Sequence, residues 1–134
     1  MKQVTIASVE EFDTICSELI AQFPNGVIVL LRGALGSGKT AFVKRFARQF
    51  GIDDAASPSF GIMHQYAPNL THIDLYRVGS AEFFARGLAE SLFVGWAFVE
   101  WADEAIERYL REEQTPFTTV SIALEGERRV VSYE

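Results

Sequence analysis

The stretch Gly33-Ala34-Leu35-Gly36-Ser37-Gly38-Lys39-Thr40 decides the fold of this sequence. It matches the pattern G-x-x-x-x-G-K-[ST] of a phosphate-binding loop, in which glycines let backbone N–H groups face phosphate oxygens. An apolar run at residues 27–31 precedes it, as expected of a buried parallel strand, and apolar residues at helical spacing follow it at 42–50. Strand, glycine loop and helix therefore come in the order that a nucleotide site requires.

The motif assigns a role to its last two residues. Lys39 is predicted to reach the outer phosphates, and the Thr40 hydroxyl is predicted to bind Mg²⁺. No Asn/Thr-Lys-x-Asp segment occurs in the sequence, which favours ATP over GTP as the nucleotide. We predict that the nucleotide contacts the loop and the start of the helix, at Gly33, Leu35, Gly36, Ser37, Gly38, Lys39, Thr40 and Ala41.

Composition and charge limit the class of protein. A chain of 134 residues that is 49% hydrophobic and contains eleven phenylalanines predicts one domain, residues 1–134, with a dense core. No apolar run is long enough to span a membrane, and a signal-peptide core and a cysteine pair are absent, so we expect a soluble cytoplasmic protein. The net charge of −6 argues against broad nucleic-acid binding, although a small basic patch could still contact RNA.

Hydrophobic periodicity and turn signals predict the remaining elements. A strand at 3–7 is followed by a helix that starts with a capping box at Ser8 and Glu11. Strands at 62–67 and 71–77 form a predicted hairpin, and a helical stretch at 80–92 breaks at Gly87. A strand at 96–99, a helix at 102–112 and a closing hairpin at 118–124 and 129–133 complete the chain. This predicts an α/β, P-loop NTPase-like fold: one mixed, partly parallel sheet flanked by helices, with a C-terminal β-hairpin.

Two acids are candidates for the chemistry of the loop. Glu100 ends an apolar strand, the position typical of a Walker B acid, so we predict that it holds Mg²⁺ together with Thr40. Asp74 is predicted to orient the attacking water or to hold the metal indirectly. Lys39, Asp74 and Glu100 are thus the predicted catalytic residues. His72 and Tyr76 share the face of Asp74, which either lines the nucleotide site, the interpretation we favour, or is a solvent-facing edge.

Two groups of basic residues leave alternatives open. Arg77 or Arg86 could stabilise charge on the transferred phosphoryl group, and the sequence selects neither. Lys44, Arg45 and Arg48 lie away from the apolar face of the helix after the loop. A solvated helix surface is the favoured interpretation, and an RNA or partner contact is the alternative.

Four segments together resemble the TsaE (YjeE) family of bacterial ATPases in tRNA threonylcarbamoyladenosine biosynthesis. They are the loop at 33–40, Ser57-Pro58-Ser59-Phe60, His72-Ile73-Asp74-Leu75-Tyr76-Arg77, and Glu100-Trp101. The resemblance covers nearly the whole chain. It implies an Mg²⁺-dependent ATPase, weak alone, that binds TsaD and TsaB and supports turnover of the tRNA-modifying enzyme without transferring the threonylcarbamoyl group. Segment 57–60 would be switch-like, and tRNA would be contacted mainly through the partners.

The sequence departs from the family pattern at several positions. Ala34 and Ala41 stand where Asp and Thr are usual, which bears on nucleotide affinity. Phe12 replaces a frequent Thr of the N-terminal helix, which puts an adenine contact there in doubt. Ser59 replaces a common Thr, and Asp103 replaces a common Glu.

Two other functions are compatible with the loop alone. A small-molecule kinase would place the γ-phosphate on a metabolite, whereas a nucleotide-sensing module would bind ATP without hydrolysing it. The four segments favour the ATPase over both.

Overall fold

A mixed sheet forms the centre of the computed structural model, which describes residues 1–53 and 61–134. Within those residues the sheet has seven strands in the order β1-β7-β6-β2-β5-β4-β3. β6, β2, β5 and β4 run parallel, while β7, β1 and β3 add antiparallel partners at the two sides. The strands are β1 (Lys2–Ile6), β2 (Ile28–Arg32), β3 (Met63–Ala67), β4 (Leu70–Asp74), β5 (Trp96–Glu100), β6 (Phe117–Glu125) and β7 (Arg128–Tyr133).

Four α-helices accompany the sheet in the described part of the chain: α1 (Phe12–Gln22), α2 (Lys39–Arg48), α3 (Gly79–Ala85) and α4 (Glu104–Glu112). The predicted capping box is present, since the Glu11 carboxylate accepts a hydrogen bond of 2.9 Å from the Ser8 N–H. The first turn, Val9–Glu11, is a 3₁₀-helix that leads into α1. The predicted helical stretch 80–92 does break at Gly87, into α3 and a short 3₁₀-helix, Ala89–Phe93.

The sheet separates two apolar layers because strand residues alternate between its faces. On β2, Val29 and Leu31 face the layer that contains α1 and α2, while Ile28 and Leu30 face the layer that contains α4. In the first layer the Phe46 ring lies 4.7 Å from the rings of both Trp96 and Phe98. The predicted α/β fold, with one mixed sheet and a C-terminal β-hairpin, is therefore confirmed.

Strand register brings the predicted acids together. β4 and β5 pair in parallel with Asp74 opposite Glu100, and β2 and β5 pair with Leu31 opposite Glu100. Both acids therefore lie at the carboxyl ends of neighbouring parallel strands, next to the loop that follows β2. The predicted strand 71–77 was too long, because Asp74 Oδ1 accepts a hydrogen bond of 2.9 Å from the Tyr76 N–H and turns the chain out of the sheet.

Candidate functional site

The glycine loop follows β2, and its last two residues, Lys39 and Thr40, begin α2. Gly33 has φ +154°, and a Cβ there would lie 2.5 Å from both the Ile122 carbonyl oxygen and the Ser37 Oγ. Gly38, directly before α2, has φ +116°, in the left-handed region that favours glycine. The backbone at these two positions therefore needs glycine, because a side chain would clash with neighbouring atoms or strain the backbone.

Lys39 lies folded against the loop. Its ammonium donates hydrogen bonds to the Gly33 carbonyl at 2.5 Å and the Ala34 carbonyl at 3.2 Å, and it lies 4.1 Å from the centre of the Trp101 ring. Burial lowers the pKa of Lys39, while the charges of Glu100 and Asp74 oppose that shift. No ion pair joins it to a carboxylate within residues 1–53 and 61–134. The site thus presents a buried positive charge whose partners are carbonyl groups and an aromatic ring.

Glu100 connects β5 to the start of α2. Its Oε2 accepts a hydrogen bond of 2.9 Å from the Thr40 hydroxyl, and the side chain is buried. Burial acts to raise the pKa of Glu100, but hydrogen bonds from His72 and Thr40 and the charge of Lys39 outweigh it and lower the pKa. The carboxylate therefore stays ionised inside the protein. The Thr40 hydroxyl, which is predicted to bind the same Mg²⁺, lies beside it.

His72 lies deeper than the sequence predicted. Its ring is completely buried, with Nε2 2.5 Å from Glu100 Oε2 and Nδ1 3.1 Å from the Tyr66 hydroxyl. Because an ionised carboxylate only accepts hydrogen bonds, Nε2 must carry the proton of this contact. Burial and the charge of Glu100 raise the pKa of Tyr66 to about 12, so its hydroxyl stays protonated. Asp74 and Tyr76 of the same predicted face do line the site, whereas His72 supports Glu100.

Most of the predicted site residues line a cavity of about 600 Å³. Asp74 and Glu100 line it, and so do both arginine candidates. Arg86 is paired with Glu82 at 3.0 Å, whereas Arg77 forms no ion pair with a described residue. From the loop and α2, the lining residues are Leu35, Gly36, Gly38, Lys39, Thr40 and Ala41. Gly33 and Ser37 belong to the same loop but do not line the cavity, and segment 57–60 lies outside the described residues.

Trp101 and Tyr76 form an aromatic wall of this cavity. Their ring centres are 4.8 Å apart, and both residues line the cavity. Trp101 has φ +62°, an uncommon conformation for a bulky residue, which carries a cost of about 1–3 kcal/mol. Such backbone strain concentrates at functional sites, and here it occurs next to Glu100 and Lys39.

Arg129 contacts the glycine loop, and the sequence did not indicate this contact. From β7 its Nε donates a hydrogen bond of 2.7 Å to the Ser37 carbonyl, inside the glycine loop. The closing hairpin was predicted, but its approach to the loop depends on β6 pairing with β2. A sequence pattern cannot supply that long-range pairing.

The basic residues of α2 are largely engaged within the chain. Arg45 donates two hydrogen bonds to Asp13, at 2.9 and 2.6 Å, and Arg48 lies 3.6 Å from Asp53. These pairs favour the interpretation of a helix surface over that of an RNA contact.

Comparison with known proteins decides the family. The model of the family described as "Threonylcarbamoyl adenosine biosynthesis protein TsaE" matches residues 6–131. The chain belongs to the TsaE family. The TsaE protein of Bacillus subtilis is 36% identical over 131 residues, covering 92% of this chain and 78% of that relative. The TsaE protein of Treponema pallidum is 34% identical over 110 residues, covering 78% and 80%.

A solved structure shares the fold. The crystal structure of Bacillus subtilis YdiB has a TM-score of 0.62 and 29% sequence identity, covering 98% of this chain and 84% of that chain. As a TsaE family member, this protein takes part in the biosynthesis of threonylcarbamoyladenosine in tRNA. No helix in the described part of the chain is long and apolar enough to cross a membrane.

The departures from the TsaE pattern occupy distinct environments. Phe12 is completely buried, with its ring 5.2 Å from that of Phe42, so it is part of the core. Ala41 lines the cavity at the start of α2. Asp103 caps α4, where its Oδ1 accepts hydrogen bonds from the N–H groups of Ala105 and Ile106.

Proposed function

We propose that this protein is an Mg²⁺-dependent ATPase that acts with TsaB and TsaD in tRNA threonylcarbamoyladenosine biosynthesis. One observation carries the proposal: the Thr40 hydroxyl lies 2.9 Å from Glu100 Oε2, next to the buried Lys39 ammonium, in one cavity. A hydroxyl and a carboxylate beside a phosphate-binding loop form the donor set that Mg²⁺ with a nucleotide uses.

The residues present fit a nucleotide and its metal. Among residues 1–53 and 61–134, the Lys39 ammonium contacts two carbonyl groups and the Trp101 ring, and phosphate oxygens can replace these contacts. The described residues contain no cluster of three or more His, Cys, Asp or Glu able to hold a metal. Mg²⁺ bound with a nucleotide needs few protein groups, because phosphate oxygens and water supply its other ligands.

Each site residue then has a distinct role. Lys39 would bind the outer phosphates, and Thr40 with Glu100 would hold Mg²⁺, which neutralises phosphate charge when it is bound. Asp74, half-buried at the neighbouring strand end, would orient the attacking water. The loop N–H groups and the start of α2 would bind the remaining phosphate oxygens.

The partners are proposed to complete the site. Arg77 and Arg86 line the cavity, and Arg86 is paired with Glu82 whereas Arg77 forms no ion pair with a described residue. Nothing in the cavity selects one of them for the transferred phosphoryl group, and we expect slow hydrolysis by the isolated protein, as the resemblance to the family implies. TsaD and TsaB would bind this face and accelerate hydrolysis. With a net charge of −6, this chain would leave most of the tRNA contact to them, and we place the assembly in the cytoplasm, where tRNA is modified.

A multiple-turnover assay tests the proposal. TsaB, TsaD, tRNA and threonylcarbamoyl-adenylate are mixed with the wild-type protein, and modified tRNA is counted per complex while phosphate release is followed. We expect several rounds of modification with ATP, and none beyond the first with Lys39→Ala or Glu100→Ala. Full turnover by either variant would refute the assignment. Label from γ-phosphate on a metabolite would indicate a kinase, and ATP binding without phosphate release would indicate a sensor.

A further inference from the structure

A hydrogen-bonded series of three buried or partly buried side chains ends at Glu100. The Tyr66 hydroxyl contacts His72 Nδ1 at 3.1 Å, and His72 Nε2 contacts Glu100 Oε2 at 2.5 Å. β3, β4 and β5 supply one member each, and they are consecutive neighbours in the sheet. This hydrogen-bonded series therefore runs across the sheet from the edge strand β3 to Glu100 on β5.

The two hydrogen bonds to Glu100 meet at one oxygen. Thr40 Oγ1 and His72 Nε2 both contact Oε2, at 2.9 and 2.5 Å. Oε1 accepts no hydrogen bond from residues 1–53 and 61–134 in this structure. The carboxylate is thus fixed through one oxygen, and the other is available to a ligand.

We propose that His72 is a positioning residue, which fixes the Glu100 carboxylate through Oε2 so that Oε1 is presented to Mg²⁺. This inference rests on the proposed function, because it assigns Glu100 to the metal. Partners that hydrogen-bond a metal ligand orient it, and their loss typically weakens metal binding by about 10–100-fold. A completely buried imidazole at a position flanked by Thr71 and Ile73 is costly unless its ring nitrogens are bonded, and here both are.

Four variants separate positioning from general support of the fold. His72→Leu and His72→Asn remove the donor to Glu100, whereas His72→Gln carries an amide N–H that reaches about as far as Nε2. Thr71→Val is the matched control, because Thr71 is a buried polar neighbour on β4 whose Oγ1 has no hydrogen-bond partner among the described residues. Far-ultraviolet circular dichroism and a thermal melt establish that each variant is folded.

The measurement is the ratio of dissociation constants for a fluorescent ADP analogue without and with Mg²⁺. For His72→Leu and His72→Asn we expect this ratio to fall about tenfold, with affinity in EDTA changed less than about twofold. His72→Gln should recover most of the ratio, and Thr71→Val should keep the wild-type value. Should His72→Leu fail to fold, the comparison of His72→Asn with His72→Gln decides.

The contrary outcomes are distinguishable. Unchanged ratios in the Leu and Asn variants would overturn the proposal, and so would equal losses of affinity with and without Mg²⁺, which indicate a structural role. Glu100→Gln tests the underlying assignment. If it loses the ratio while the His72 variants keep it, only the positioning role fails. If Glu100→Gln keeps the wild-type ratio, the metal role of Glu100 and the positioning role fail together.

Discussion

Asp74 and Glu100 are paired neighbours on the parallel strands β4 and β5, but their surroundings differ. Glu100 is buried and receives hydrogen bonds from Thr40 and His72, whereas Asp74 is half-buried and accepts one from the Tyr76 N–H. A fixed, desolvated carboxylate suits a metal ligand. A more accessible one suits a group that orients water.

This difference predicts separate effects of neutralising the two acids. Asp74→Asn should lower kcat for ATP hydrolysis about 100-fold, the effect expected for loss of a water-orienting base, while ADP affinity in Mg²⁺ stays near the wild-type value. Phosphate release with TsaB and TsaD present gives kcat, and ADP titration gives the affinity. Glu90→Gln, on an exposed acid outside the cavity, is the charge-matched control and should keep full activity. A loss of ADP affinity in Asp74→Asn larger than its loss of kcat would contradict these roles.

Individual residues were predictable where the motif fixes their spacing. Lys39 and Thr40 follow the loop at set positions, and the structure places both in the cavity. The depth of His72 was not predictable, because strand alternation assigns a residue to a face but not to a distance from solvent. Its burial depends on Tyr66 and Glu100, which belong to the two flanking strands.

At the scale of elements, the C-terminal hairpin supports the glycine loop from the side. Arg129 on β7 binds the Ser37 carbonyl at 2.7 Å, and its Nε lies 3.0 Å from the position of a Cβ on Gly38. The hairpin therefore restricts the loop whose N–H groups are proposed to bind phosphate.

We expect Arg129→Ala to weaken ADP binding about three- to tenfold, because the loop loses a hydrogen bond that orders it, and a typical net hydrogen bond contributes about 0.5–1.5 kcal/mol. Isothermal titration measures the affinity. Arg128→Ala, which removes the neighbouring exposed charge of the same strand, should leave it unchanged. Equal losses in both variants would point to the general positive charge of the hairpin and against the contact with Ser37.

The start of α4 provides a stability prediction at this scale. Asp103 Oδ1 accepts hydrogen bonds from Ala105 N–H at 3.0 Å and Ile106 N–H at 3.2 Å, and Oδ2 accepts one from the Ser80 hydroxyl at 2.7 Å. Asp103→Ala should lower the free energy of unfolding by about 1–2 kcal/mol, whereas Asp103→Asn, which can still cap the helix, should lose less. Urea denaturation measures both. A smaller loss in the Ala variant than in the Asn variant would show that the cap is not what stabilises this turn.

At the scale of the whole molecule, local patterns predicted the elements but not their order in the sheet. The strand, loop and helix around residue 33 and both hairpins follow from periodicity and turn residues. The placement of β2 between β5 and β6 joins residues far apart in sequence, such as Ile28 and Phe117. That pairing brings the loop to Glu100 on one side and to the C-terminal hairpin on the other.

Acidic carboxylates that hold separate parts of the chain together make stability depend on pH. Asp13 on α1 accepts two hydrogen bonds from Arg45 on α2, and these lower the pKa of Asp13 below its ordinary value. The pKa of Glu100, which joins β5 to α2 and β4, is also lowered, although its burial opposes the shift. In each case the unfolded chain binds the proton more tightly than the folded protein.

The free energy of unfolding should therefore fall as the pH decreases through about 4, the ordinary value for aspartate and glutamate, and continue to fall toward the lower pKa values of the folded protein. Above that range the stabilisation is fully present.

Asp13→Asn should make the decline shallower, by less than one proton equivalent because the side chain is 44% exposed and partly screened by solvent. Urea unfolding from near-neutral pH to about pH 3 gives the slope. Asp53→Asn, on an 84% exposed acid 3.6 Å from Arg48, is the charge-matched control. An equally steep decline in Asp13→Asn would show that the contact between α1 and α2 does not contribute to the acid sensitivity.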